Sequence, residues 1–161
     1  MSKEVTYLKT PIGIAKIVGD VNGIQSVSVV EDNSLDIVSE DVSKCLQECI
    51  LQLQEYFKGK RTRFTVKLNL KGTEFQQKVW KELLKIPFGK TRSYLEQAKC
   101  LGNVKAIRAV ANANGKNPIW ILIPCHRVIG SNGSLTGYAG GLWRKKWLLA
   151  HENPVKQKSL F

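Results

Sequence analysis

Two helix starts are written out in full in this sequence, and both fall in its second half. Thr73-Glu74-Phe75-Gln76 and Ser93-Tyr94-Leu95-Glu96 each set a hydroxyl three residues ahead of an acid or amide side chain. The hydroxyl can accept from the third helical N–H, and the longer side chain can accept from the cap's own N–H. The first box predicts a helix that buries Phe75, Val79, Trp80, Leu83 and Leu84 and ends at Pro87-Phe88-Gly89. The second predicts a short helix that stops at Gly102. Asn103 is placed to cap a third, from Val104 to about Asn114, with Gly115 closing it. Two short helices joined by a tight turn have the form of a helix-turn-helix, whose second member reads a groove. A helical hairpin inside a core is the competing reading, and Lys105, Arg108 and Lys116 favour the former.

The first half has a different texture. Val5–Leu8, Ile12–Val18 and Ile24–Val30 are rich in β-branched residues and are separated by Pro11, Gly13, Gly19 and the turn pair Asn22-Gly23, as strands should be. Val42, Cys45, Leu46, Cys49, Ile50, Leu53 and Phe57 then recur at helical spacing, with Gly59 as a stop. Phe64, Val66, Leu68 and Leu70 alternate as a further extended segment. The expected organisation is an α/β domain over residues 1–72, a small antiparallel sheet plus a helix, followed by a mainly α-helical, winged-helix-like domain over 73–161. Residues from about Pro154 onward read as a loose tail.

The net charge of +12 is unevenly placed. Residues 1–72 hold 10 Lys+Arg and 9 Asp+Glu, a balance of +1, whereas residues 73–161 hold 15 and 4, a balance of +11. Such a field attracts a polyanion and is rewarded by counterion release; a merely solubilising charge is the bland alternative. The opening Met1-Ser2-Lys3-Glu4 lacks a signal peptide's apolar core, and no apolar run approaches the roughly 20 residues of a membrane span. The expectation is an intracellular, cytoplasmic protein without a membrane partner, its four cysteines present as thiols.

Those cysteines first invite a metal reading. Structural zinc wants four Cys/His ligands, usually in close pairs. Cys45 and Cys49 sit in an apolar helical stripe, no histidine precedes His126, and Cys100 lies among Leu95, Ala98 and Leu101. All three are read as core packing, so no metal is expected. Cys125 differs. In Ile123-Pro124-Cys125-His126-Arg127-Val128 an apolar run stops at a proline and presents a thiol beside an imidazole and a guanidinium, and neighbouring cations lower a thiol's pKa. A core cysteine with a chance histidine neighbour competes with this. Glu152, one of four acids in the basic half, is a candidate third member that would orient the imidazole, or else an exposed helix-end glutamate.

The stretch Asn117-Pro118-Ile119-Trp120-Ile121-Leu122-Ile123-Pro124-Cys125-His126-Arg127-Val128 resembles the active-site segment of the methylated-DNA–protein-cysteine methyltransferases, the 6-O-alkylguanine-DNA alkyltransferases. The likeness extends from about Phe75 to Glu152 through Ser93-Tyr94, Ala106-Ile107-Arg108-Ala109-Val110, Tyr138-Ala139-Gly140-Gly141-Leu142 and Trp147-Leu148-Leu149-Ala150-His151-Glu152. The resemblance implies a monomer that binds double-stranded DNA, flips out an alkylated guanine (O4-methylthymine being a second candidate base), and transfers the alkyl group irreversibly to Cys125. It implies that His126, through a water and oriented by Glu152, yields the thiolate, and that Asn117 braces this network. Tyr94 would assist rotation of the target phosphate and donate to guanine N3. Arg108 would fill the vacated stack from a helix in the minor groove, with Ala106 permitting close approach and Lys105 beside it on the DNA. Val128, Tyr138, Ala139 and Trp120 would line the pocket. No cofactor is implied. A cysteine hydrolase using Cys125 and His126, and a non-enzymatic winged-helix regulator, remain the alternatives.

The charge division generates a first prediction. For the intact protein, the logarithm of DNA affinity should fall linearly with the logarithm of salt concentration, by about 0.9 per phosphate neutralised. Binding that is constant between about 50 and 200 mM salt would exclude phosphate neutralisation as the driving force.

Overall fold

A computed structural model describes residues 3–31, 43–135 and 137–153. The β-branched runs of the first half become β1 (Glu4–Thr10), β2 (Gly13–Asp20) and β3 (Gly23–Val30), an antiparallel meander in that order. Leu8 stands opposite Ala15, and Ile17 opposite Val27. The helical stripe becomes α1 (Lys44–Phe57), which packs on all three strands. Leu46, Cys49, Leu53 and Tyr56 on the helix and Ile14, Ile17, Ile24 and Val27 on the sheet form the buried core. Val42, expected at the start of the stripe, lies outside the described residues.

Phe64–Leu70, read as a further extended segment, does not join the sheet as a strand. It meets the sheet at one bridge, Ile24 with Leu68, where the Ile24 N–H donates to Lys67 O and the Asn69 N–H to Ile24 O, both at 2.8 Å. Pro118–Trp120 makes a second bridge to the same edge: the Val27 N–H donates to Pro118 O at 3.0 Å and the Trp120 N–H to Val27 O at 2.8 Å. A bulge explains the division. Gly19 pairs with Ile24 but Val18 with Ser26, so one extra residue enters β3 and resets which amides face outward. Ile24 and Val27 thus both point to the free edge, and two short segments close it instead of one strand.

The described residues up to Lys71 with Pro118–Trp120 form one compact unit; Gly72–Asn117 and the described residues from Ile121 onward form a second. Relative to the expected division after residue 72, Pro118–Trp120 changes sides because of the Val27 bonds. Gly72 belongs to the second unit because it lies under the Trp80 ring, where a Cβ would stand 2.6 Å from the indole.

In the second unit both capping boxes form, with all four bonds at 3.0 Å, and open α2 (Glu74–Leu83) and α3 (Tyr94–Cys100). Val79, Trp80 and Leu83 of α2 are buried, but Phe75 and Leu84 are 40% and 45% exposed. They flank the stripe centred on Trp80 and Leu83, so the helix turns their faces toward solvent. Cys100 is likewise exposed, because the buried face of α3 is Gln97 and Ala98. Asn103 Oδ1 accepts from the Lys105 N–H at 3.0 Å, yet Val104–Ala106 is a 3-10 turn, and α4 (Ile107–Gly115) begins only after it. Gly115 is the last helical residue and not the stop. The Trp80 indole N–H donates to Ala113 O at 2.9 Å and ties α2 to α4. Two short strands, β4 (Arg92–Ser93) and β5 (Val128–Ile129), pair in parallel and set the Cys125 segment beside the start of α3. The chain ends its described course in α5 (Leu142–Glu152). No helix of the described residues is long and apolar enough to cross a membrane.

Gly23 allows a test of the edge closure. Its φ is +130°, and a Cβ there would lie 2.6 Å from Lys67 O, the acceptor of the bridging bond. Gly23→Ala should lower stability by about 1–3 kcal/mol. Gly59→Ala, at φ +76° with open space around it, should cost less. Urea unfolding of both variants checks the order.

Candidate active site

Ile121 opens the segment that carries the site. It is a β-branched residue at φ +73°, 2% exposed, a conformation that costs about 1–3 kcal/mol and persists only under surrounding constraint. After Pro124 the chain turns, still buried, through Cys125–Arg127 as a single 3-10 turn. Such a turn fans successive side chains roughly 120° apart, so Cys125, His126 and Arg127 enter three different environments.

His126 and Arg127 converge on Glu152, the last residue of α5. His126 Nε2 lies 2.7 Å from Glu152 Oε2; with the carboxylate as acceptor, Nε2 carries the proton. Arg127 Nε donates to Oε1 at 2.8 Å and Nη2 to Oε2 at 3.1 Å, while Nη1 donates to Ile86 O at 2.7 Å. The guanidinium also stands 5.8 Å from the centroid of the Phe88 ring. Burial by itself would raise the Glu152 pKa. His126, then Arg127, outweigh it and hold the carboxyl far below the usual range. Glu152 is therefore a buried anion and not a solvated helix end. His126 Nδ1 is buried and makes no hydrogen bond among the described residues.

Cys125 Sγ accepts from Asn117 Nδ2 at 3.3 Å, and the same amide donates to Ile123 O at 2.8 Å. The expected acidification of the thiol is reversed: burial pushes its pKa up to about 11, and the Asn117 bond and the Lys145 charge offset only part of that. The neighbouring Arg127 and His126 side chains do not offset it, because both are turned toward Glu152.

Cys125 opens onto a cavity of about 480 Å³ lined also by Tyr94, Arg108, Asn114, Tyr138 and Ala139. Of the residues expected in its wall, Tyr138 and Ala139 are there. Val128 is fully buried in β5, opposite Arg92, and Trp120 is paired with Val27 in the first unit; neither lines the cavity. Burial, and then the charges of Cys125 and Glu152, raise the Tyr138 phenol well above its ordinary value. Arg108 and Lys105 are exposed and Ala106 half-buried, at the start of α4 and the turn before it.

Two site residues escaped the sequence reading. Arg127 was taken only as a neighbour of the thiol, and Lys145 was not singled out at all. Lys145 is fully buried, donates to Gly137 O at 3.2 Å and stands 5.7 Å from the centroid of the Tyr94 ring. Burial draws its pKa down to about 8, and the nearby Cys125 charge opposes that fall. The signal was present: Lys145, Leu148 and Glu152 are the buried face of α5, so a lysine shares the stripe of a core leucine.

Known proteins give the arrangement a context. Residues 74–154 match the model of the 6-O-methylguanine DNA methyltransferase DNA binding domain, and residues 4–70 that of its ribonuclease-like domain. The chain belongs to this methyltransferase family. The methylated-DNA–protein-cysteine methyltransferase of Methanosarcina acetivorans is 46% identical over 147 residues, 89% of this chain and 94% of that one. The structure of Mycobacterium tuberculosis O6-methylguanine methyltransferase superposes with a TM-score of 0.83 at 41% identity, covering 95% and 94% of the two chains. A structure of the mycobacterial OGT in complex with DNA gives 0.84 at 45% identity over 93% and 92%. Tyr94, Arg108, Asn117, Cys125, His126, Lys145 and Glu152 all lie inside the stretch that matches the DNA binding domain.

Lys145 yields a pH prediction. Below about pH 8 the folded protein carries a buried ammonium that the unfolded chain solvates, so the burial cost is present in full. Between about 8 and the ordinary 10.5 the folded lysine has shed its proton while the unfolded one keeps it, and the cost fades. Lys145→Met should therefore raise the melting temperature most near neutral pH and progressively less toward pH 10. A difference that does not vary with pH would contradict the buried charge.

Proposed function

We propose that this protein repairs alkylated DNA by a single, irreversible transfer of the alkyl group to Cys125. One observation carries the reading: the thiol of Cys125 and the side chains of Tyr94 and Arg108 share one cavity. A target atom inside a stacked duplex cannot be reached, so the base must be extruded into a pocket at a cost of a few kcal/mol. Arg108, exposed near the start of α4, would fill the gap, while surrounding Lys and Arg hold phosphates. The substrate is an alkylated guanine in double-stranded DNA, O4-methylthymine being a second candidate. The protein acts as a monomer, inside the cell, where DNA is.

The chemistry follows from the bonds at the site. A thiol with a pKa near 11 is protonated at rest, so the nucleophile must be made when it is needed. His126 Nδ1 is the ring nitrogen left to act as base, since Nε2–H is committed to Glu152; the Cys125 proton passes to it through a water. Glu152, held ionised by Arg127, fixes the tautomer and stabilises the imidazolium. The thiolate attacks the alkyl carbon, the S–C bond forms as the C–O bond breaks, and the electron pair passes to the guanine oxygen. Tyr94 stabilises the departing base by a hydrogen bond to N3, and the proton taken from the thiol, released by the His126 imidazolium through water, ends on the guanine. Asn117 positions Cys125 throughout. The relatives are named methyltransferases, which gives the hydrolase and regulator readings no support.

A thioether has no activated carbonyl for water to attack, unlike a hydrolase's thioester. Excess duplex bearing O6-methylguanine should give a burst that stops at one alkyl group per chain. Mass spectrometry should place that group on Cys125 and leave Cys45, Cys49 and Cys100 unmodified. Cys125→Ser should abolish transfer yet keep DNA affinity, whereas Arg108→Ala should weaken lesion capture. Turnover well past one equivalent, or label on another cysteine, would sink the proposal.

A further inference from the structure

The chemistry above leaves a buried polar pair unused. Gln97 is fully buried on α3 and Asn114 is 6% exposed on α4. Gln97 Nε2–H donates to Asn114 Oδ1 at 2.8 Å, and Asn114 Nδ2–H donates back to Gln97 Oε1 at 2.7 Å. Apolar side chains of similar volume would fill such a place without the desolvation of two amides, so packing gives no reason for the pair.

Its position does. Tyr94 and Gln97 are three residues apart on α3; Arg108, Ala111 and Asn114 follow one another at the same spacing on α4. Tyr94, Arg108, Ala111 and Asn114 line the cavity that holds Cys125. The reciprocal bonds therefore join the helix carrying Tyr94 to the helix carrying Arg108 at the cavity wall. The Asn114 backbone O also accepts from the backbone N–H of Asn117, whose side chain holds the thiol. A primary amide has two N–H donors and two lone pairs. The pairing uses one of each, so Asn114 retains one of each on a wall otherwise made largely of aromatic, aliphatic and small residues.

We propose that Asn114 is a specificity-determining residue of this cavity, with Gln97 as its positioning residue. Locked against rotation, the Asn114 amide offers a hydrogen-bonding wall to the polar edge of an extruded purine and withholds space from large apolar alkyl groups. This rests on the reading of Cys125 as the alkyl acceptor.

Two double variants separate recognition from packing. Gln97→Leu with Asn114→Leu removes the amides and strands neither. Gln97→Asn with Asn114→Gln keeps the amides paired and adds one methylene at position 114. Single-turnover rates are measured on duplexes carrying O6-methylguanine or O6-benzylguanine, beside melting temperature and affinity for unmodified duplex. The leucine pair should keep wild-type stability and DNA affinity, lose about tenfold in methyl transfer, and show a raised benzyl-to-methyl ratio. The exchanged pair should hold methyl transfer within about threefold and lose at least about tenfold in benzyl transfer. A benzyl-to-methyl ratio equal to wild type in the variants that fold overturns the proposal; should the leucine pair not fold, the exchanged pair decides. Failure of the wild-type protein to alkylate Cys125 would instead overturn the proposed function.

Discussion

Glu152 is a carboxylate buried at the C-terminal end of a helix, where desolvation and the helix dipole both oppose its charge. It is tolerable only because Arg127 reaches it with two donors and His126 with a third. The same Arg127 holds Ile86 O, and Asn153, the next residue after Glu152, donates to Gly89 O. One buried ion cluster thus fastens α5, the turn bearing the thiol, and the segment after α2. Removing either partner of such a cluster leaves an uncompensated charge, at about 3–5 kcal/mol. Since the folded carboxyl titrates far below its ordinary value, this contribution is present above the ordinary carboxylate pKa and is lost only in strong acid.

The cluster also decides how the thiol behaves. Because His126 and Arg127 are spent on Glu152, Cys125 sets the Asn117 bond, the field of Lys145 and a backbone hydrogen bond against burial, and burial wins. A nucleophile that is used once is best left unreactive until a substrate occupies its cavity, and a neutral buried thiol is unreactive. Lys145 is the counterpart: a cation retained in the interior at a cost to stability, between Gly137 O and the Tyr94 ring.

How far these features could be read in advance depended on the range of the forces behind them. Capping boxes at Thr73 and Ser93 formed as read, because hydroxyl, amide and carboxylate lie within three residues of their partners. The three strands of the first half also stood where β-branching and turn residues placed them. Phe64–Leu70 was legible as an extended segment but not its single bridge to the sheet, because a bulge in a different segment, at Ile24 to Ser26, dictated what could pair with the edge. Phe75, Leu84 and Cys100 failed as core because a period of 3.6 fixes a stripe but not how wide the facing surface is.

The site divides in the same way. The local run around Pro124-Cys125-His126-Arg127 and its resemblance to a known active-site segment were enough to single out Cys125, His126 and Glu152, the last two of which the structure brings into contact. The sign of the Cys125 pKa shift, the engagement of Arg127 with Glu152 and not with the thiol, and the presence of Lys145 were decided by tertiary structure alone. Sequence carries the identities of charged groups and their spacing along the chain. Electrostatic energy depends on distance through space and on how much water remains around each group, and both are set only when α5 folds back onto the turn that holds Cys125.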